Sequence, residues 1–126
     1  EGQRFLVYSF AAHTARVKNG WRKGLFRHYY RQTQLVDAIE RLQGHPLPAV
    51  CVGNPQLYMI CKKNGHSMSV GIWNSFADEV ISPTIILDHP YTKVDCYHCQ
   101  GTIKGNRVHL QEDIPPYGFA FFTVTD

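Results

Sequence analysis

The chain has 126 residues, 44% of them hydrophobic and 18% charged, with a net charge of +3 at neutral pH. That is the size of one domain, with enough apolar material for a core and too little charge for a disordered chain. No apolar run reaches the roughly 20 residues of a membrane helix, and the first residues lack the basic-then-apolar order of a signal peptide, so a soluble protein without membrane contact is expected.

The charge is unevenly divided. Residues 1 to 45 carry eight Lys or Arg against three acids, and residues 46 to 126 carry five against seven. The chain begins at Glu1 and not at Met, as an excised or processed piece would. Gln3 to Phe10, QRFLVYSF, is β-prone and predicts one strand. Asn19-Gly20 and Gly24 break the stretch from Ala11 to Gly24, which predicts a mobile loop. From about Leu25 the period turns helical: Leu35, Ala38, Ile39 and Leu42 fall at i, i+3, i+4 and i+7, and a helix is predicted from Leu25 to Gln43. Gly44 stands where a C′ glycine would, with Pro46 and Pro48 beyond it. One strand and one helix are half a βαβ unit, which cannot bury both its faces. Residues 1–46 therefore read as packing across the rest of the chain or as part of a neighbouring α/β domain.

Leu47 to Pro55, punctuated by Pro48, Gly53 and Pro55, predicts extended chain leading into a sheet. Two apolar runs, Leu57 to Cys61 and Met68 to Trp73, flank Asn64-Gly65, a pair suited to a type I′ hairpin turn. A third run, Val80 to Leu87, suggests an antiparallel meander. His89-Pro90 breaks the pattern, and Val94 to His98 gives another short strand. Gly101 to Leu110 predicts a second hairpin about Gly105-Asn106. After Pro115-Pro116, Gly118 to Thr125 predicts a closing strand in which Phe119, Phe121 and Val124 alternate with smaller residues. Six or seven short strands from Leu57 onward, with turn signals every eight to twelve residues, mark a sandwich or barrel. Residues 47–126 are thus expected to form a mainly β fold, an antiparallel β-sandwich of six to eight strands preceded by one strand and a long α-helix.

Candidate chemistry is sparse. Cys96-Tyr97-His98-Cys99 has the Cys-x-x-Cys spacing that brings two sulfurs to one side of a turn, as in zinc clamps and dithiol exchange. Zinc needs four ligands, however, and Cys51 and Cys61 are ten residues apart; His89, His98 or His109 could complete a set only through folding. A redox motif would open a helix, whereas a hairpin is predicted here. The bland reading is a structural strand end, with no metal and no cofactor. The four cysteines could form two disulfides in three connectivities. Cys61 falls in a predicted buried strand, where a free thiol acts as a small hydrophobe, so reduced thiols and a cytoplasmic setting are expected.

A glycosidase needs two placed carboxylates. Asp78-Glu79 and Glu112-Asp113 are the adjacent pairs, but neighbours on extended chain point apart and loop tips offer little burial. No GxSxG elbow, HExxH, phosphate loop or EF-hand loop is present. Asn19 to Gln32, with Arg22, Lys23 and Arg27 among Trp21, Phe26, Tyr29 and Tyr30, is the best case for nucleic acid. A docking surface for another domain or subunit is the stronger expectation, and nucleic acid the weaker. Sugar binding by the sandwich would use exposed aromatics with flanking amides, for which Trp73, Asn74, Tyr97 and Tyr117 are the candidates, against the reading that a strand aromatic belongs to the core.

Three passages, GNPQLYMICKKNG, SVGIWNSFADEVISPTIILD and GTIKGNRVHLQEDIPPYGFAFFTV, resemble the C-terminal region of large bacterial glycoside-hydrolase-like proteins. The turn-and-strand Ile114-Pro115-Pro116-Tyr117-Gly118-Phe119 looks like the end of their accessory domains, and RQTQLVDAIERLQGHPLPAVCVGNP like the helix and linker that enter them. The likeness spans roughly Arg31 to Val124 and is structural. It implies a non-catalytic accessory domain that caps or assembles the catalytic domain of the same parent chain, with the reacting carboxylates elsewhere. An incomplete N-terminal α/β element would leave apolar surface, so a homo-oligomer is also expected.

Overall fold

The computed structural model describes residues 3–7, 29–51, 53–54 and 56–126. The order of elements is α1 (Tyr29–Gln43), β1 (Ala49–Val50), β2 (Leu57–Asn64), β3 (Ser67–Asn74), β4 (Thr84–Leu87), β5 (Lys93–Tyr97), β6 (Gly101–Lys104), β7 (Arg107–Leu110) and β8 (Phe119–Thr125). The strands form two four-stranded antiparallel sheets, ordered β1-β4-β7-β6 and β2-β3-β8-β5. Their apolar faces pack together, so the expected antiparallel β-sandwich preceded by a helix is the fold.

The strand expected at Gln3 to Phe10 is not found in its described part. Residues 3–7 have no regular structure and are exposed, Phe5 at 83%. Residues 8–10, the loop expected at 11–24 and the predicted helix start at 25–28 lie outside the described residues.

α1 ends where its sequence says it should. The Gly44 N–H donates to the Glu40 carbonyl at 2.8 Å with φ at +80°, a conformation that suits glycine. The Glu40 carboxylate then accepts from the Leu47 N–H at 2.9 Å and fixes the exit. Ala38 is buried, but Leu35, Ile39 and Leu42 on the same stripe keep 37–40% of their surface.

The two hairpins share one device. β2 and β3 pair from Leu57↔Asn74 to Asn64↔Ser67, so the central turn residues are Gly65 and His66 and not Asn64-Gly65. Gly65 has φ +59°, whereas His66 is not among the positive-φ residues. One positive φ at the first central position is the type II′ pattern, which corrects the expected type I′ turn and shifts the pairing by one residue. The β6–β7 hairpin repeats it, with Gly105 at +59° between the paired Lys104 and Arg107.

The expected meander does not continue past β3. Pro83 and Ser82, whose φ is +36°, cut the third run to Thr84–Leu87, and Val80 makes only an isolated bridge to Ile114. β4 joins the other sheet, between β1 and β7, while β8 takes the free edge of β3. The core between the sheets holds Met68, Val70 and Ile72 of β3 and Phe122 and Val124 of β8 against Ile85, Val108 and Leu110, all fully buried. Burying a side chain of this size contributes roughly 1.5–3 kcal/mol, and these eight anchor the fold. In β8 the inward set is Ala120, Phe122 and Val124, while Phe119 and Phe121 point out, so Val124 does not share a face with the two rings it was grouped with.

Candidate functional site

The two outer faces of the sandwich differ in kind. On the sheet containing β4, β6 and β7, outward positions pair as Thr84↔His109↔Thr102 and Ile86↔Arg107↔Lys104, and Thr84 Oγ1 bonds His109 Nδ1 at 3.0 Å. That is a solvated face of the usual kind. On the sheet of β2, β3, β8 and β5, two neighbouring cross-strand rows are apolar. One is Tyr58↔Trp73↔Phe119 and the other Ile60↔Gly71↔Phe121↔Tyr97. Tyr58, Ile60, Tyr97 and Phe119 keep 50–61% of their surface, and Trp73 keeps 41%.

Gly71 shapes this patch. A β-carbon there would lie 3.2 Å from Trp73 Cζ3 and 3.5 Å from Cη2. The indole therefore lies along the sheet over the bare glycine and covers it, the arrangement by which an aromatic shields a strand glycine. Its ring stacks with Phe119 at 6.3 Å between centroids and 29° between planes, within the range of attractive aromatic pairs. The next rows turn polar: Lys62↔Ser69↔Thr123↔Asp95, with Ser69 and Thr123 hydroxyls 3.1 Å apart and Lys93 paired to Asp95 at 2.8 Å. With four strands about 4.8 Å apart and two rows about 7 Å apart, the apolar rows extend roughly 14 Å across the strands and about 7 Å along them.

Of the four residues expected to bind sugar, Trp73 and Tyr97 share this face. Tyr117 lies in the turn beyond the Trp73–Phe119 row, 72% exposed with φ +57°, and its N–H donates to Phe76 O at 3.3 Å. Asn74 is not on the face. It is 2% exposed, its amide donates to the carbonyls of Asp78 at 2.6 Å, Pro115 at 3.1 Å and Ile114 at 3.3 Å, and its Oδ1 accepts from the Phe76 N–H at 3.1 Å. Every polar atom of Asn74 is engaged in tying the β3–β4 loop to the turn before β8, which corrects its reading as a ligand group.

Sequence reasoning missed Tyr58, Ile60, Phe119 and Phe121. The signal was present: in LYMIC and FAFF both parities are apolar, where a strand with one solvated face would alternate.

The remaining candidates lie elsewhere in the fold. Cys96 points inward and its thiol is pushed up to about 11, first by burial and then by neighbouring Cys99, whose own Sγ lies 3.5 Å from the Phe121 carbonyl. Burial likewise raises Cys51 and Cys61. All four cysteines are free, and among the described residues no three His, Cys, Asp or Glu converge as metal ligands. Asp78, Glu79, Glu112 and Asp113 are exposed at one end of the sandwich, brought near each other by the Val80–Ile114 bridge. Asp113 Oδ1 is taken up by the Ser82 N–H at 2.9 Å. The basic segment Asn19 to Gln32 lies outside the described residues up to 28. Among the described residues no helix is long and apolar enough to cross a membrane.

Comparison with known proteins found no family model, no curated protein and no solved structure that matches the chain.

Proposed function

We propose that this chain is a non-catalytic accessory sandwich of a larger carbohydrate-active, glycoside-hydrolase-like protein, and that the aromatic face of the β2-β3-β8-β5 sheet docks it on the catalytic domain. The observation that carries this reading is the contrast between the two outer faces. A sandwich that stood alone would have no reason to leave Tyr58, Ile60, Phe119 and Phe121 in water while clothing its other face with Thr, His, Arg and Lys. A stable interface buries about 800 Å² per partner, so the two aromatic rows would supply its dry centre and the Lys62–Asp95 row part of its polar rim. The resemblance of residues 31–124 to accessory domains supplies the partner class.

Tyr58→Lys with Phe119→Lys should cost no more than about 1.5 kcal/mol of folding stability, because both side chains point away from the core and what is lost is the Trp73–Phe119 ring pair. Affinity for the catalytic domain, measured by calorimetry, should fall tenfold or more, as when central aromatic anchors are lost. Undiminished binding by the double variant would remove the docking reading. Without its neighbour the same face would pair with a second copy, seen as concentration-dependent light scattering.

One observation favours a second reading. The Trp73 indole, flat over Gly71 on the face that also carries Tyr97, has the form of a platform for a sugar ring, and Trp73→Ala would then abolish retention on polysaccharide gels. Ile60, Phe119 and Phe121 offer a sugar no hydrogen bond, which is why protein docking is preferred.

A further inference from the structure

Cys96 and Cys99 stand where the chain leaves one sheet for the other, Cys96 near the end of β5 and Cys99 just before β6. On extended chain, side chains three apart point to opposite faces. Here they do not, since both cysteines pack against the buried core. Between them His98 has a φ of +52°, in the left-handed region that histidine enters more readily than most side chains. That turn brings Cys99 back to the side of Cys96. Cys96 is paired with Phe122 of β8, and the Cys99 thiol donates to the Phe121 carbonyl at 3.5 Å, so the two meet β8 at neighbouring residues. Gly101 leaves room for the first sulfur: a β-carbon there would lie 2.9 Å from Cys96 Sγ.

Two sulfurs are too few for structural zinc, and among the described residues no set of three His, Cys, Asp or Glu converges. Catalysts of thiol exchange hold the attacking cysteine at a helix N-terminus, where the thiolate is stabilised. Here a strand follows the pair, and burial together with Cys99 pushes the Cys96 thiol up to about 11. Such a pair is the target of exchange and not its catalyst. The other two thiols lie elsewhere: Asn54 donates to Cys51 Sγ, and Cys61 has Asp88 and Lys63 for charged neighbours.

We propose that Cys96 and Cys99 are a modification site that closes reversibly into a disulfide by exchange with a low-molecular-weight disulfide of the glutathione class, Cys99 attacking first. The Cys99 thiolate attacks one sulfur of that disulfide and expels one thiolate. Cys96 then gives its proton to solvent and attacks Cys99 Sγ in the mixed disulfide, expelling the second. Two protein thiols are oxidised, one small disulfide is reduced to two thiols, and the two protons released by the protein reappear on them. The left-handed turn at His98, already made in the fold, holds the sulfurs for the second step. The site stands independently of the docking reading.

The test equilibrates the whole chain with glutathione and glutathione disulfide, quenches in acid, alkylates the remaining thiols with N-ethylmaleimide in denaturant and weighs the tryptic peptides. Trypsin, cutting after Lys93 and Lys104, releases both cysteines in one peptide, residues 94–104. That peptide should be two hydrogens lighter and free of maleimide, and dithiothreitol should restore its alkylation, while Cys51 and Cys61 are alkylated throughout. Cys96→Ser should stop at glutathione on Cys99, and Cys99→Ser should leave Cys96 open to maleimide. The equilibrium constant for closure should be about tenfold larger in the folded chain than in urea, because the turn between the sulfurs is ordered beforehand. An alkylated 94–104 peptide, glutathione retained on it in the unaltered chain, a link to Cys51 or Cys61, glutathione on Cys96 in Cys99→Ser, or the same constant in urea would each overturn the proposal.

Discussion

Replacing Asn74 with alanine separates a structural role from a ligand-binding one. The carboxamide has two N–H groups for three carbonyls and one oxygen for the Phe76 N–H, so it makes about three full hydrogen bonds at once. At about 1 kcal/mol net for each, Asn74→Ala should cost about 3 kcal/mol and not more, since the Ile114 and Pro115 carbonyls keep the N–H donors of Val80 and Gly118. For a domain of this size that lowers the melting temperature by roughly 10 °C. Asn74→Asp should be worse than alanine at neutral pH, since it turns an acceptor toward three carbonyl oxygens and a charge toward the interior. The assay is urea unfolding followed by far-ultraviolet circular dichroism, with Ser75→Ala as a neighbouring exposed control. A loss for Asn74→Ala below about 1 kcal/mol, or no different from the control, would refute the assignment of Asn74 as the clasp between the β3–β4 loop and the turn before β8.

Local geometry sets four further outcomes. Gly118→Ala places a β-carbon 2.6 Å from Pro115 Cγ, a ring atom with little freedom to move, and should cost about 1–3 kcal/mol in urea unfolding. Gln32→Met removes an unpaired buried oxygen at similar volume and should raise stability by about 1 kcal/mol, a gain read from the unfolding midpoint. Burial works against ionisation of Asp88, but the Lys63 and His89 groups outweigh it and hold the carboxyl below its usual range. Its folded value is thus the lower one, so its contribution to stability is full above about pH 4 and is lost as pH falls through the folded value; the stability difference between the unaltered chain and Lys63→Met, about 1 kcal/mol at pH 7, should shrink in acid. The Tyr91 hydroxyl is pushed up to about 12 by burial and then by Asp88. The folded state keeps that proton longer than the unfolded one, so stability should decline from about pH 10 upward, and Tyr91→Phe should flatten that decline.

Much of the architecture is legible in the sequence because it is written locally. The cap at Gly44, the glycine-led hairpins and the spacing of short strands from Leu57 onward depend on neighbours in sequence, and those elements are found near their expected places. What fails depends on distant partners. Nothing within Val80 to Leu87 says that β8, arriving some 30 residues later, claims the edge of β3 and leaves β4 for the other sheet. Which face of β8 turns inward is not written locally, because Phe119, Phe121 and Phe122 occupy both parities, and only the opposing Ile85, Val108 and Leu110 decide which ring is enclosed. Asn74 beside Trp73 suggests a sugar site, yet adjacent strand residues face opposite ways, so the pair is divided between core and surface. Gln32, whose buried Oε1 has no hydrogen-bond partner among the described residues, carries no local mark at all.

The order of the strands has a kinetic consequence. Five of the seven links between consecutive strands cross from one sheet to the other, and β8, later in the chain than every other strand, occupies an interior position between β3 and β5. Only the β2–β3 and β6–β7 ribbons can form from nearby residues. The remaining pairings must close long loops first, which places this chain among slow folders, on the millisecond-to-second scale. β3 and β5 are joined only through Phe119–Thr125, so that sheet cannot close until its last strand is in place.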